Sequence, residues 1–89
     1  MLQPYNIGQN YIIRTVTMIL IGQVEAVGEH EIILYNASWI ADTGRWHKAL
    51  LEPSELQEIE PCPEGQWIVG RGAVVDAGPW QHALPRAPK

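Results

Sequence analysis

The stretch Tyr11-Ile-Ile-Arg-Thr-Val-Thr-Met-Ile-Leu-Ile-Gly-Gln-Val-Glu-Ala-Val27 constrains the fold more than any other part of the chain. It is dense in β-branched residues, which pack well on a pleated surface and lose χ1 freedom in a helix, so it reads as strand. One register puts Tyr11, Ile13, Thr15, Thr17, Ile19 and Ile21 on one face, and the other puts Ile12, Val16, Met18 and Leu20 opposite. A one-sided surface strand alternates apolar with polar residues, whereas this one is apolar on both faces between Val16 and Ile21. Something must therefore cover each side. Gly22 inside the run marks a bulge or sharp bend, which lets one long strand serve two sheets of a small barrel.

Gly28-Glu29-His30 supplies turn chemistry and Glu31-Ile-Ile-Leu-Tyr-Asn36 a return strand, so residues 19–35 form a β-hairpin. A bent strand, a tight turn and an apolar return strand resemble the central hairpin of SH3-like and Sm-like barrels, a likeness of architecture that leaves function open. At 89 residues the chain is the size of one small domain. Its expected parts are an arm at 1–10 with Pro4, Asn6, Gly8 and Asn10, a β-rich domain at 11–79, and a proline-spaced tail at 80–89. The one helix expected starts at Thr43 or Gly44, capped by Asp42 or Thr43, and runs to Leu51 before Pro53 ends it. Trp46, Ala49 and Leu50 share a face of that helix. Ser54 and Gln57 have capping-box spacing, though a loop fits as well. Short strands follow at 57–60 and 66–70, around a Pro61-Cys-Pro-Glu-Gly65 turn. The fold class expected is mainly β: a small SH3-like or Sm-like barrel or sandwich with one short helix and extended terminal arms.

Ten acidic residues face six basic ones, scattered at Arg14, Arg45, Lys48, Arg71, Arg86 and Lys89. No basic cluster exists to neutralise a run of phosphates, which argues against general nucleic-acid binding. The single cysteine, Cys62, has no partner for an internal disulfide and suits a reducing compartment. No signal peptide is expected, because no basic segment leads into an apolar one at the start. The longest uncharged internal stretch, Thr15–Val24, is ten residues, too short to span a bilayer as a helix, so no membrane partner is expected. The aromatic set is four Trp and three Tyr with no Phe. Rings with a polar handle suit half-buried sites and interfaces.

Few constellations carry chemistry. Asp42-Thr43-Gly44 resembles the Asp-Thr-Gly of retroviral-type aspartic proteases, but it leads into a helix, and capping accounts for it. Gly70-Arg71-Gly72 offers close backbone approach and an arginine to a phosphate, yet lacks Walker spacing, and a bend or tight turn is the simpler use. His30, His47 and His82 have no metal-ligand spacing. A Cys62–His82–Asp76 nucleophile set is conceivable, but Cys62 between two prolines has no helix N-terminus to lower its pKa. No catalytic, cofactor or metal site is expected, and the chain reads as a non-enzyme. Glu52, Glu55, Glu58, Glu60 and Glu64 form an acidic stretch, read as a solvated face or as a strip on which a neighbour's basic tail docks.

The ordered set Arg14-Thr-Val-Thr-Met18, Gly22-Gln-Val24, Ser38-Trp-Ile-Ala-Asp-Thr-Gly-Arg45, Glu58-Ile-Glu-Pro61, Ile68-Val-Gly-Arg-Gly-Ala-Val-Val-Asp-Ala77 and His82-Ala-Leu-Pro-Arg86 resembles a family of small proteins of tailed bacteriophages and prophages. The likeness covers most of the chain from about Arg14, and it implies a viral setting without assigning a reaction. The expectation is a virion structural protein, such as a capsid decoration or cement, neck or tail component. It would assemble as a homo-oligomer with other virion proteins, after a period in the host cytoplasm. Its interface would use Val16, Met18, Leu20, Trp39, Trp80 and Arg86 together with the terminal arms. The alternative is a binding protein that sequesters a host nucleotide signal or defence protein, with Arg45, Arg71 and Arg86 holding phosphates and tryptophan rings stacking on bases.

Overall fold

A computed structural model describes residues 4–89 of the chain. Six antiparallel strands form one bent sheet: β1 (Asn10–Thr15), β2 (Ile19–Val27), β3 (Glu31–Asp42), β4 (Glu58–Pro61), β5 (Gln66–Gly70) and β6 (Val74–Pro79). The order across the sheet is β4-β3-β2-β1-β6, and β5 continues beyond β4 along the same side of β3. Helix α1 (Trp46–Leu51) and a single 3-10 turn (Pro53–Glu55) link β3 to β4, and a second 3-10 turn (Arg71–Ala73) links β5 to β6. The fold is mainly β and barrel-like, as the patterning predicts.

The expected hairpin is present as β2 and β3, and their pairing slips between Ile21 and Gln23, the bulge expected at Gly22. A Cβ on Gly22 would lie 3.1 Å from Leu34 Cβ and 3.2 Å from Ala37 Cα, so the glycine also lets β3 approach. The long strand expected over 11–27 is corrected to two strands. A turn at Thr15–Met18 breaks it, closed by a 2.7 Å bond from Thr15 N–H to Met18 O and by the Thr15 hydroxyl oxygen accepting from Met18 N–H at 2.9 Å. Local hydroxyl bonding to the main chain competes with the strand ladder there. The turn also corrects the faces: Ile12 pairs with Ile21 and Ile13 with Leu20, so Tyr11 and Ile21 lie on opposite sides.

Each side of the sheet has its own core. Tyr11, Ile13, Leu20, Val24, Ile32, Leu34, Ala37 and Val69 pack on one side. On the other, Ile12, Ile21 and Ile40 of the sheet pack with Ala49, Leu56, Ile59 and Trp80. The doubly apolar strand is thus covered from within: by residues of the other strands with Tyr5 and Cys62 on one face, and by α1 and the C-terminal tail on the other.

The tail expected to reach for neighbours packs on its own chain. Trp80 is 3% exposed and its indole N–H donates to Ala83 O at 3.1 Å. Ser38 Oγ donates to Pro85 O, Arg86 donates to Ala37 O and to Cys62 O, and Lys89 exchanges main-chain bonds of 2.9 and 3.0 Å with Ile59. The arm is tied as well, with Gly8 N–H donating to Val24 O and Tyr5 set edge-on against Tyr11. Residues 1–3 of the expected arm lie outside the described residues. The expected helix cap is corrected: α1 starts at Trp46 without a side-chain cap, and Asp42 instead accepts from Gly44 N–H, which holds Gly44 at φ +68°. The Ser54–Gln57 segment is the 3-10 turn and its exit rather than a capped α-turn.

Candidate functional site

Of the six residues expected at an interface, the structure leaves two open. Val16, at the tip of the β1–β2 turn, is 73% exposed and Trp39, on β3, is 39% exposed. Met18 is half-buried against the Tyr11–Val69 core, Leu20 belongs to that core, and Trp80 belongs to the core on the other side. Arg86 is half-buried and donates to two carbonyls of its own chain.

Val16 and Trp39 share one groove of about 380 Å³ with Thr15, Thr17, Ile19 and Arg14. A second groove of about 350 Å³ opens on the far side of Arg14, between β1, β6 and α1, and is lined by Ile12, Trp46, Leu50, Asp76 and Gly78 among others. Arg14 is the wall between them. Its guanidinium donates twice to the Asp76 carboxylate, through Nε at 2.7 Å and through Nη2, and lies 4.9 Å from the centre of the Trp46 ring. The hydrogen bonds from Arg14 hold the Asp76 carboxyl below its ordinary pKa, and the same bonds hold Arg14 above its own. A fork-on-carboxylate pair beneath an aromatic face fixes the arginine in one orientation and holds α1 against the sheet. The sequence gives no local signal for this cluster, because Arg14 and Asp76 are 62 residues apart.

Val16 and Trp39 present apolar area at the first groove and Trp46 at the second, with the half-exposed Arg14–Asp76 ion pair between the two. Exposed aromatic and aliphatic side chains beside a paired arginine are the composition of a protein–protein contact.

The other candidate residues are dispersed. Arg71 donates to Gly28 O at 2.8 Å from the second 3-10 turn, so Gly70-Arg71-Gly72 is used as a turn. Arg45 is exposed at the start of α1. Neither groove is lined by Arg45, Arg71 or Arg86. His82 Nε2 lies 2.9 Å from Leu50 O, with its ring edge-on to Trp80, and Asp76 is held by Arg14, so neither is directed to Cys62. Burial pushes the Cys62 thiol above its ordinary pKa, against the partly offsetting charge of Arg86, the reverse of what a nucleophile requires. Among the described residues no group of three His, Cys, Asp or Glu is placed to hold a metal ion, and no helix is long and apolar enough to cross a membrane. No protein-family model, curated protein or solved structure matches the chain.

Proposed function

We propose that the chain is a structural subunit of a tailed-phage particle, a decoration, neck or tail component, that assembles with further copies of itself. The viral setting comes from the sequence motifs that begin at Arg14. The observation that supports an assembly role is that Val16, Trp39 and Trp46 stay exposed beside these two grooves although each side of the sheet already has a closed core. A second copy is the occupant, because the chain is acidic overall and this surface carries its acid, Asp76, already neutralised by Arg14. Two like-charged copies meet there without stacking carboxylates.

Peptide mass spectrometry of purified particles tests the setting: peptides at a fixed ratio to the major capsid protein are expected, and their absence from particles overturns it. Light scattering of Val16→Glu tests the surface. A charge at a site 73% exposed leaves the fold intact and is expected to reduce the assembled mass. An unchanged mass removes this surface from the assembly.

A further inference from the structure

The sheet has three strands on its borders, and two of them are closed to further pairing. At β4, the main chain of Lys89 bonds to both polar groups of Ile59. At β6, the register slips between Arg14 and Thr15 so that Val75 is an unpaired bulge residue, and Pro79 at the far end has no N–H to offer. Bulges and prolines are the usual protection of an exposed edge.

β5 has neither. It pairs with β3 in unbroken register from Glu31–Gly70 to Tyr35–Gln66. Arg71 N–H donates to His30 O and Asn36 N–H to Gly65 O, which fixes the alternation of the ladder. Residues 67 and 69 therefore point their main-chain groups at β3, and Gln66, Ile68 and Gly70 point theirs outward. The outward groups of Gln66 and Ile68 join no further strand of the sheet, while the Gly70 carbonyl opens the 3-10 turn that follows. The strand reads Gln-Trp-Ile-Val-Gly without a charge, and Ile68 is 65% exposed. An even, uncharged and apolar edge is a template for one more strand.

The ends of β5 identify that strand. Glu64 stands just before it and Arg71 just after. Glu64 has no bonded partner among the described residues, and Arg71 donates from Nη1 to Gly28 O and leaves a positive charge at that end of the strand. An antiparallel β5 from a second copy, centred on Ile68, sets Gln66 opposite Gly70, Ile68 opposite Ile68 and Trp67 opposite Val69. It also brings the Glu64 end of each copy beside the Arg71 end of the other. A parallel strand would set like charges together at both ends. We infer that β5 is a two-fold contact through which two copies of this chain join their sheets into one. Main-chain bonds supply the attraction, the exposed Trp67 and Ile68 side chains add to it, and the opposite charges at the two ends of the strand fix direction. This contact rests on the homo-oligomeric part of the proposed function and lies on a different surface from Val16.

Sedimentation velocity of the full chain over a range of concentrations tests it, with Ile68→Lys, Glu64→Lys and Val16→Glu beside the wild type. Ile68→Lys sets two like charges directly opposite each other and is expected to weaken association more than tenfold, with the far-UV spectrum and melting of the monomer retained. Glu64→Lys should weaken it severalfold, and the loss should shrink in high salt. An association constant for Ile68→Lys within twofold of wild type overturns the contact. If Val16→Glu alone dissociates the assembly, the β5 contact fails while the proposed function stands. If Ile68→Lys alone does so, the contact stands and the Val16 surface fails. A wild-type chain that stays monomeric throughout overturns both contacts, and particle composition then decides the viral setting separately.

Discussion

Trp80 distinguishes a tail that belongs to the core from a tail that reaches for a neighbour. The ring sits among Ile12, Ile21, Ile40, Ala49, Leu56 and Ile59, with 3% of the residue exposed. Truncating a buried aromatic to alanine removes its transfer free energy and leaves a cavity, together about 3–5 kcal/mol. The lost indole bond to Ala83 O adds little, because Ala83 is exposed and water replaces the donor. Small domains are stable by roughly 0.05–0.15 kcal/mol per residue, so Trp80→Ala should remove a third or more of the folding free energy of this chain. At about 4–8 °C per kcal/mol for a domain of this size, Tm should fall by roughly 12–40 °C. Urea titration of the full chain, followed by far-UV circular dichroism, measures the change. Trp80→Leu retains most of the apolar area and should stay folded with a smaller loss, so the comparison survives if the alanine variant does not fold. A loss below about 1 kcal/mol together with a reduced assembly size would refute the reasoning, because Trp80 would then be spending its burial on another subunit.

Two further substitutions test the framework around the candidate site. Gly22→Ala should destabilise by about 1–3 kcal/mol in the same titration, since its methyl would press on Ala37 Cα, main-chain structure that cannot turn aside. The Asp76 carboxyl is held below its ordinary value by Arg14, so its contribution to stability is present above the unfolded carboxyl pKa of about 3.9 and is lost as the pH falls through the lower folded value. Asp76→Asn should flatten that acid limb of a melting-temperature profile while leaving the slope above pH 5 unchanged.

What was legible in the sequence was local. The β2–β3 hairpin, the bulge at Gly22 and the strands at 58–61 and 66–70 follow from residue alternation and turn chemistry, each readable within about ten residues. The turn at Thr15–Met18 was hidden because Thr-Val-Thr are strand formers; what turns the chain is the Thr15 hydroxyl, whose competition with the ladder leaves no compositional mark. The same miss merged β1 with β2 and put Tyr11 and Ile21 on one face. The tail was hidden for a different reason. Leu84, Pro85 and Arg86 form no repeating element, and their partners Ser38, Ala37 and Cys62 lie 24 to 49 residues away, so that only the assembled sheet shows what they cover. The Arg14–Asp76–Trp46 cluster shares this character, since each member comes from a separate element.

The apolar excess on both faces of Val16–Ile21 implies two covers, and a neighbouring subunit is the natural candidate for the second. The chain provides that cover itself, through Ala49, Leu56, Trp80 and Leu84. This relocates the argument for assembly rather than removing it. A core that is closed on both faces has no need of Val16, Trp39 or Ile68, yet all three stay exposed on strands or their turns. At β4 and β6 the fold blocks its edges with Lys89, a bulge and Pro79, so the open, uncharged edge of β5 stands out against the chain's own treatment of its other borders. Two separate self-contacts, one across a two-fold at β5 and one at the β1–β2 tip, would also let assembly proceed past a dimer to a ring or lattice, which a single isologous contact does not permit.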